Sequence, residues 1–434
     1  MKEKLPHNRP WYKLDNAAKI FPGTNTSTYS NIFRISVVLK ETIDPELLEQ
    51  ALERTLLRFP CFAVRMRKGF FWHYFEHNSL PAPPVLADVG NPCIRVKWRE
   101  NGGFLFRVYY YEKRISAEFY HALTDAYGSS RFLSTLTACY LRLQGKEIGV
   151  GESVLDVNEP CTAEEMEDAF LRFANSRVKP VRKKSFVYLA KGTRLPPHTM
   201  HVLTGYMPVD QLKQKARAYG VTITEFLAAL ALDVLYRKQL AECVDTRRET
   251  KQKVVSVQIP VNLRGTFPSQ TLRNFSLTFN ARIDPNMGEY RFEEILKQVS
   301  LYLRYVNNEK ELNAMMTANL GLESNPLTRA IPLVIKNLSV GIMFWITGEK
   351  TTSVLVSNLG IIKLPPEMEQ YIDRFILMTG PGKRNTARLA AASCGNTLAL
   401  SLASIFEERD IERELFTRLV KMGVPVKVES NINE

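Results

Sequence analysis

Residues 114–132 read RISAEFYHALTDAYGSSRF, and this stretch indicates more about the fold than any other. Side chains of a β-strand alternate between its two faces, so every second residue shares a side. Three apolar residues and a histidine would share one face: Ile115, Ala117, Phe119 and His121. The small residues that follow predict a turn and then a helix. The stretch therefore predicts a histidine at the end of a strand, where a rigid edge can hold a catalytic group.

The neighbouring segments extend this pattern in both directions. Before the histidine, Phe104–Tyr111 is predicted to form a hairpin with Arg114–Tyr120. After it, Ser129 or Ser130 is predicted to cap a helix over Phe132–Leu143, because a hydroxyl can accept a bond from the unpaired amides of a first turn. Together these segments predict a hairpin, a turn and a helix, with the histidine between the last strand and the helix.

The chain is long enough for two domains, since it has 434 residues and domains of roughly 100–200 residues are typical. Strands and helices are mixed along both halves without the strict alternation of a dinucleotide-binding fold, which predicts mixed sheets of an α/β or α+β kind. Prolines and a run of basic residues over 172–194 mark a boundary. We predict an N-terminal domain over 1–175 with the histidine, a basic linker over 176–200 and a C-terminal domain over 201–434.

The composition excludes several classes of protein. A hydrophobic fraction of 45% and a charged fraction of 24% are unlike those of a disordered, collagen-like or coiled-coil chain. No apolar run reaches the roughly 18–20 residues of a membrane-spanning helix, and residues 1–10 do not resemble a signal peptide. The six cysteines lie far apart, which favours free thiols in a reducing compartment. We predict a soluble, cytoplasmic protein whose cysteines bind no metal.

The net charge of +13 is compatible with nucleic acid, an anionic membrane surface or an anionic small molecule as a partner. Nucleic-acid binding favours a basic stripe with interleaved aromatic residues, whereas the lysines and arginines here are spread along the chain. The even spread of basic residues along the chain therefore argues against nucleic acid as the partner. The basic run over 172–194 is interpreted as a solvated connector, with a docking patch for a carrier protein as the alternative.

His121 and Asp125 have the spacing H-x-x-x-D. The chain has six histidines, and the spacing alone would arise by chance in roughly one such chain in six. A buried structural histidine at a strand end is therefore an alternative interpretation. The position of His121 between a predicted strand and a predicted helix favours the catalytic one.

Several further motifs follow one another along the chain. They are IDPEL at 43–47, RFP at 58–60, TITEFL at 222–227, IPVNLR at 259–264, NF at 274–275 and VSNLG at 356–360. Together with the H-x-x-x-D spacing, they resemble the chloramphenicol acetyltransferase-like superfamily of HxxxD acyltransferases. Their order carries the resemblance, which is closest to the alcohol acetyltransferase and condensation-domain branch.

The resemblance implies two similar chloramphenicol acetyltransferase-like domains with an active-site tunnel between them. In that arrangement His121 would be the general base that removes a proton from the acceptor. Asp125 would not react itself, but would orient the loop by pairing with Arg264. Ala126 replaces the usual glycine of the motif, which predicts a strained or rebuilt turn if that position needs a positive φ.

The reaction that the resemblance implies also needs groups that bind the substrates. Ser357, Asn358 or Gly128 would stabilise the oxyanion or bind substrate. Lys383 and Arg384, in a glycine-rich basic loop, would hold the phosphates of coenzyme A, with a solvated loop as the alternative. No metal and no redox cofactor is implied, and the coenzyme A thioester is a co-substrate.

One main hypothesis and two alternatives follow. The main hypothesis is an acyltransferase that moves an acyl group from acyl-CoA to a small alcohol. The first alternative is a condensation-type enzyme that takes its donor from an acyl carrier protein or forms an amide with an amine. The second is a protein that binds an acyl thioester or a partner without turnover. The chain is expected to be a monomer and not an integral membrane protein.

Overall fold

The computed structural model describes residues 10–25, 31–88, 90–176, 186–245, 252–324, 330–343, 349–380, 382 and 387–431. Strands and helices are mixed along this described chain. The strands are β1 (Trp11–Lys13), β2 (Ile32–Leu39), β3 (Val64–Lys68), β4 (His73–His77), β5 (Val85–Ala87), β6 (Phe106–Tyr111), β7 (Arg114–Tyr120), β8 (His201–Pro208), β9 (Val255–Asn262), β10 (Ser276–Ile283), β11 (Val354–Ile361), β12 (Ile372–Thr379), β13 (Ala387–Cys394), β14 (Thr397–Ser404) and β15 (Lys427–Ser430). The α-helices are α1 (Phe21–Thr24), α2 (Pro45–Arg58), α3 (Ala126–Leu143), α4 (Ala163–Met166), α5 (Ala169–Phe173), α6 (Val209–Ala218), α7 (Ile223–Asp245), α8 (Phe292–Val306), α9 (Glu309–Ser324), α10 (Leu333–Met343), α11 (Pro366–Glu369) and α12 (Asp410–Lys421).

A five-stranded sheet, in the order β12-β2-β7-β6-β5, positions the histidine. β6 and β7 form the predicted hairpin, with Phe106 opposite Phe119. β2 pairs antiparallel with the other edge of β7, with Ile32 opposite Tyr120. β7 is therefore the central strand of this sheet, and His121 follows its last residue.

The outer strand beside β2 comes from the C-terminal part of the chain. β12 pairs antiparallel with β2, and its buried residues Ile372, Phe375 and Leu377 belong to the same core as the first half of the chain. Our prediction assigned this segment to the C-terminal domain over 201–434. The prediction is incomplete here, because an alternating pattern indicates a strand but not the sheet that the strand joins.

A seven-stranded mixed sheet, in the order β10-β9-β11-β13-β14-β8-β15, forms the second layer. β11 lies parallel to both β9 and β13, while the other pairs are antiparallel. A small antiparallel sheet of β1, β4 and β3 lies beside the first sheet in the N-terminal part. The two larger sheets thus give the mixed architecture that the sequence predicts.

Each larger sheet has its own apolar core. In the first, four fully buried phenylalanines pack with neighbouring ring centroids 5.1 to 5.9 Å apart. They are Phe62, Phe106, Phe119 and Phe132. In the second, the consecutive residues from Phe226 to Tyr236 of α7 are all buried. A helix buried on every side explains why this segment is apolar except for Asp233, which forms ion pairs with Arg237 and Arg418.

The helix after the histidine begins earlier than the sequence predicts. α3 starts at Ala126, and Asp125, not Ser129 or Ser130, is its N-cap. The two serine hydroxyls instead donate to carbonyls one turn back, at 3.0 and 2.8 Å. Ala126 is therefore the first residue of a regular helix and is absent from the described residues with positive φ, so the alanine causes no strain of the kind predicted.

No single helix in the described ranges is long and apolar enough to cross a membrane. Two helices, Val209–Ala218 and Ile223–Cys243, reach the required length and composition only as a pair bent by 77°.

Candidate active site

His121 is held between two aromatic rings at the end of β7. Its backbone N–H donates to the Asn31 carbonyl at 2.8 Å, which extends the pairing of β7 with β2 by one residue. The imidazole stacks on Phe21 of α1, with ring centroids 4.7 Å apart and planes inclined by 21°. It also contacts Phe33, whose centroid lies 5.0 Å away. These contacts fix the plane of the imidazole while leaving the residue partly exposed.

One edge of the imidazole is occupied by a chain of polar side chains. The His121 Nδ1 atom lies 3.1 Å from Asn274 Oδ1, and Asn274 Nδ2 lies 3.3 Å from Asp15 Oδ2. The amide nitrogen of Asn274 is turned to the carboxyl group, so its oxygen faces the imidazole. An amide oxygen only accepts, which assigns the proton to Nδ1 and leaves a lone pair on Nε2.

Asp15 is fully buried and is held by its own partners. Its Oδ1 accepts a bond from the Ala18 N–H at 2.8 Å, and its Oδ2 lies 3.6 Å from Arg273 Nε. Burial raises the pKa of Asp15 above its ordinary value, while the Arg273 charge acts in the opposite direction. The carboxyl group is thus a fixed acceptor behind Asn274.

Burial lowers the pKa of His121 below the ordinary histidine value of about 6.5. The bond to Asn274 and the charges of Asp125 and Asp15 oppose this effect but do not reverse it. The imidazole is therefore mainly neutral at pH 7, which is the state that a general base requires.

The Asp125 carboxylate has all its acceptor positions used by structural donors. Oδ1 accepts bonds from the backbone N–H groups of Tyr127 and Gly128, both at 3.1 Å. Oδ2 accepts one from Arg264 Nη1 at 2.8 Å and one from the Phe275 N–H at 2.9 Å. A carboxylate that caps a helix and binds a buried guanidinium in this way is suited to holding structure, not to transferring a proton.

Arg264 connects the end of β9 to the loop over 271–275 that carries Asn274. Besides Asp125, its guanidinium donates to the carbonyl oxygens of Thr271, at 2.8 Å, and Arg273. The Cζ atom of the Arg264 guanidinium lies 4.2 Å from the centre of the Tyr127 ring on α3. The ion pair therefore connects the helix after the histidine to the loop whose asparagine binds the same histidine.

Gly128 lies where α3 passes closest to that loop. A Cβ atom added there would overlap the Leu272 carbonyl oxygen and the Thr124 hydroxyl oxygen. Its N–H already donates to Asp125. The Gly128 amide is thus already occupied and buried against backbone, and its binding of the oxyanion or the substrate stays a prediction.

Gly128→Ala is expected to destabilise the protein by about 1–3 kcal/mol, because an added methyl group forces backbone apart in a packed site. Urea unfolding followed by circular dichroism measures the loss. Gly321→Ala is the matched control, since Gly321 is an exposed residue of α9 with nothing within 4 Å of an added Cβ. The control is expected to be neutral or stabilising by up to about 1 kcal/mol. Equal stabilities of the two variants would contradict the close approach at Gly128.

The other predicted binding groups are not hydrogen-bonded to His121 within the described residues. Ser357 lies on β11 opposite Ala390. Asn358 donates to the Thr224 hydroxyl at 3.0 Å and accepts a bond from the Gly360 N–H, so its side chain stabilises the bulge at the end of β11. Lys383 and Arg384, the predicted coenzyme A contacts, lie outside the described residues. Their roles stay predictions.

Asn274, Asp15 and Phe21 belong to the site but were not predicted as functional residues. Asn274 was part of a motif used for the resemblance, and that motif was the only signal in the sequence. Asp15 and Phe21 carry none, because an acidic or aromatic residue in the first 25 positions has no spacing that relates it to a histidine at 121. Within the described ranges, no group of three or more histidine, cysteine or acidic side chains is arranged to hold a metal ion.

No family model and no curated protein matches the chain in sequence. Solved structures match it over nearly its whole length. TRI101 of F. graminearum, complexed with coenzyme A and deoxynivalenol, is 12% identical, with a TM-score of 0.61 over 97% of this chain and 100% of that one. Polyketide synthase associated protein 5 from Mycobacterium tuberculosis is 14% identical, with a TM-score of 0.60 over 94% and 96% of the two chains.

The condensation domain of the Monacolin K polyketide synthase MokA is also similar. It is 13% identical, with a TM-score of 0.55 over 95% of this chain and 96% of that one. At these identities the likeness shows the fold and not the activity. The predicted fold class, two chloramphenicol acetyltransferase-like domains with mixed sheets, is confirmed.

Proposed function

We propose that the protein is an acyltransferase that moves an acyl group from coenzyme A to a small alcohol, with His121 as the general base. The observation that carries the proposal is the fixed imidazole, whose Nδ1 faces Asn274 and whose low pKa keeps Nε2 unprotonated. The fold supports it, because a trichothecene 15-O-acetyltransferase, TRI3 from Fusarium sporotrichioides, shares that fold. So does TRI101, which is complexed with coenzyme A and deoxynivalenol.

In the proposed reaction, His121 Nε2 removes the proton from the acceptor hydroxyl, and the oxygen attacks the thioester carbonyl carbon. The resulting oxyanion collapses, the carbon–sulfur bond breaks, and the thiolate of coenzyme A takes the proton back from the imidazolium. Asn274 Oδ1 accepts from Nδ1–H throughout, so it stabilises the imidazolium that forms in between. A base of this kind contributes about 10²–10⁴-fold to the rate.

The oxyanion and the phosphates of coenzyme A need donors of their own. We assign the oxyanion to Ser357 or the backbone amides beside it on β11. We assign the phosphates to Lys383 with Arg384, because these residues belong to a glycine-rich basic loop. Asn358 is the weaker candidate for the oxyanion, because its side-chain N–H group already donates to Thr224. We expect the protein to act as a cytoplasmic monomer, a setting in which its six free thiols would stay reduced.

The likeness to condensation domains supports a second candidate function. In that case the donor is bound to an acyl carrier protein, and an amine in place of the alcohol would give an amide. The base chemistry at His121 is the same. The basic run over 172–194 would be the docking patch, although residues 177–185 lie outside the described part of the chain.

Release of free thiol tests these functions together. The purified protein is given acetyl-CoA or longer acyl-CoAs with a panel of alcohols and amines, and then acyl carrier proteins as donors. Release that depends on an alcohol supports the main proposal, and release only from carrier-bound donors or with amines supports the second. Thermal stabilisation by acyl-CoA without any release would instead identify a protein that binds thioesters without turnover.

Asn274→Leu is expected to lower kcat by about 10- to 150-fold, which corresponds to losing a hydrogen bond to a charged group of about 1.5–3 kcal/mol. The pH profile gives the sign of the effect. Wild-type activity falls as pH drops through the His121 pKa, below about 6.5. Because the Asn274 bond raises that pKa, its loss moves the acid limb of kcat/KM to still lower pH.

Asn313→Leu is the matched control for this experiment. Asn313 also joins two segments, accepting from the Asn175 N–H and donating to the Phe173 carbonyl, but it has no bond to the histidine. Its loss is expected to reduce stability and leave the acid limb in place. An unmoved acid limb in Asn274→Leu would rule out the proposed action of Asn274 on the imidazole.

A further inference from the structure

α10 presents an apolar surface to solvent. It has 11 residues and contains no acidic side chain. Val334 is 80% exposed and Leu338 is 66% exposed, while Leu333 is buried against the protein. Exposed apolar side chains that occur singly need no explanation, but several on one helix indicate an interaction surface.

The turn between β3 and β4 extends this surface with aromatic side chains. The Leu333 N–H donates to the Phe70 carbonyl at 2.8 Å, and Lys336 Nζ donates to the Phe71 carbonyl at 3.1 Å, so α10 is anchored on the turn. The aromatic side chains of this turn are exposed to solvent, and Phe70 is 71% exposed. We call the following five exposed residues the apolar face: Phe70, Trp72, Val334, Ile335 and Leu338.

The charge around the apolar face is positive. Segments 10–25, 64–77 and 330–343 contain six basic residues and two acidic ones. Of the acidic pair, Asp15 is fully buried, and Glu76 forms ion pairs with Arg65 and Arg67. Four of the six basic side chains are exposed, namely Lys13, Lys19, Arg67 and Lys68, while Arg65 and Lys336 are half-buried. Lys13 Nζ is 5.9 Å from the centre of the Trp72 ring.

We propose that the apolar face docks on the surface of an anionic phospholipid bilayer. Exposed aliphatic and aromatic side chains bordered by lysines are what an interfacial segment requires, and negatively charged lipids attract basic residues beside it. α10 is about 16 Å long at ~1.5 Å per residue, much shorter than a bilayer core of ~30 Å. It therefore lies in the plane of the interface and does not cross it.

The positive charge around the apolar face also explains why a second copy of this chain is a poorer partner for that face than a bilayer. In a symmetric dimer the same patch meets itself, so the basic side chains around the apolar face would face one another. A bilayer of anionic lipids supplies the opposite charge instead. The net charge of +13 acts in the same direction over the whole molecule.

The apolar face lies beside the candidate active site. A Cβ atom built on Gly23 of α1 would lie only 3.0 Å from Val340 Cγ1, so α10 and α1 are in close contact. Phe21 of the same short helix stacks on His121. Docking on the apolar face would thus bring the bilayer close to the imidazole, although docking itself does not depend on the proposed acyl transfer.

Co-sedimentation with vesicles tests the proposal on the full chain. Wild type is mixed with vesicles of phosphatidylcholine alone, or of phosphatidylcholine with one third phosphatidylglycerol, and the bound fraction is measured. We expect binding to the anionic vesicles that is weakened by salt, and at least about tenfold weaker binding to phosphatidylcholine alone. The double variant Val334→Glu/Leu338→Glu is expected to lose at least about tenfold in binding to the anionic vesicles.

The matched control is Leu57→Glu/Leu301→Glu, which places the same charges at two exposed leucines on α2 and α8. It is expected to bind like wild type. Trp72→Phe adds a local readout, because the blue shift of tryptophan emission on vesicle binding should shrink when this ring is removed. Circular dichroism confirms that each variant is folded.

Three results would overturn the proposal. The first is no binding of wild type to anionic vesicles, and the second is an equal loss in the test and control double variants. The third is a concentration-dependent dimer that the substitutions in α10 abolish, which would assign the apolar face to a second copy of the chain.

Discussion

His121→Ala is expected to reduce acceptor-dependent release of coenzyme A by about 10²–10⁴-fold while leaving the protein folded. The substitution removes the Nε2 lone pair that would take the acceptor proton. It leaves the ion pair of Asp125 with Arg264 intact, because neither side chain bonds to the imidazole. The thiol-release assay measures the loss, and far-ultraviolet circular dichroism with thermal unfolding checks the fold.

His201→Ala is the control for this experiment. His201 is buried on β8, and burial lowers its pKa as it lowers that of His121. Its side chain is not hydrogen-bonded to Asn274. We expect the control to keep wild-type kcat. If His121→Ala releases thiol as fast as wild type, His121 is not the base, whatever the reaction.

The strand, the helix and the fold class were predictable because each depends on a local pattern or on the order of motifs. Period-two alternation over 114–120 placed His121 at the end of β7, where it is found. The predicted N-cap of α3, Ser129 or Ser130, was wrong, because the N-cap is Asp125. Three candidate oxygens, those of Asp125, Ser129 and Ser130, lie within six positions, and spacing alone does not show that the aspartate binds both first-turn amides.

The polar chain behind His121 was beyond prediction for a different reason. Asn274 Nδ2 bonds to a residue 259 positions away, and its Oδ1 to one 153 positions away. Contacts of this kind depend on how the two sheets pack, which one sequence does not reveal. The same holds for β12, whose alternating residues were recognisable as a strand but not as part of the first sheet.

Asp125→Ala is expected to destabilise the protein by about 3–5 kcal/mol, because it leaves the Arg264 guanidinium buried without its carboxylate. The loss of the α3 N-cap, worth ~1 kcal/mol, contributes to this figure. Urea unfolding measures the change. Since native proteins are stable by only about 5–15 kcal/mol, this variant is expected to be partly unfolded at moderate denaturant.

A double-mutant cycle measures the contribution of the ion pair between Asp125 and Arg264 apart from the other contacts of the two side chains. Arg264→Met removes the other partner, and the variant with both substitutions is expected to lose less stability than the sum of the two single losses, since neither charge is then left buried alone. Glu118→Gln is the control, because Glu118 is an equally buried carboxylate that lies in the first sheet, where it forms ion pairs with Arg34 and Arg107. Additive losses at Asp125 and Arg264 would show that the two do not act as a unit.

The activity of the folded fraction then shows whether the ion pair between Asp125 and Arg264 only stabilises the fold or also positions Asn274 against His121. Asp125 and Arg264 both bond to the loop over 271–275, so their loss displaces Asn274 and lowers kcat through the imidazole. The folded fraction of Asp125→Ala should therefore show a downward shift of the acid limb at least as large as that of Asn274→Leu, because loss of the Asp125 charge also lowers the His121 pKa. Glu118→Gln should lose stability and keep the wild-type limb. A wild-type limb in folded Asp125→Ala would mean that the ion pair stabilises the fold without positioning Asn274 against His121.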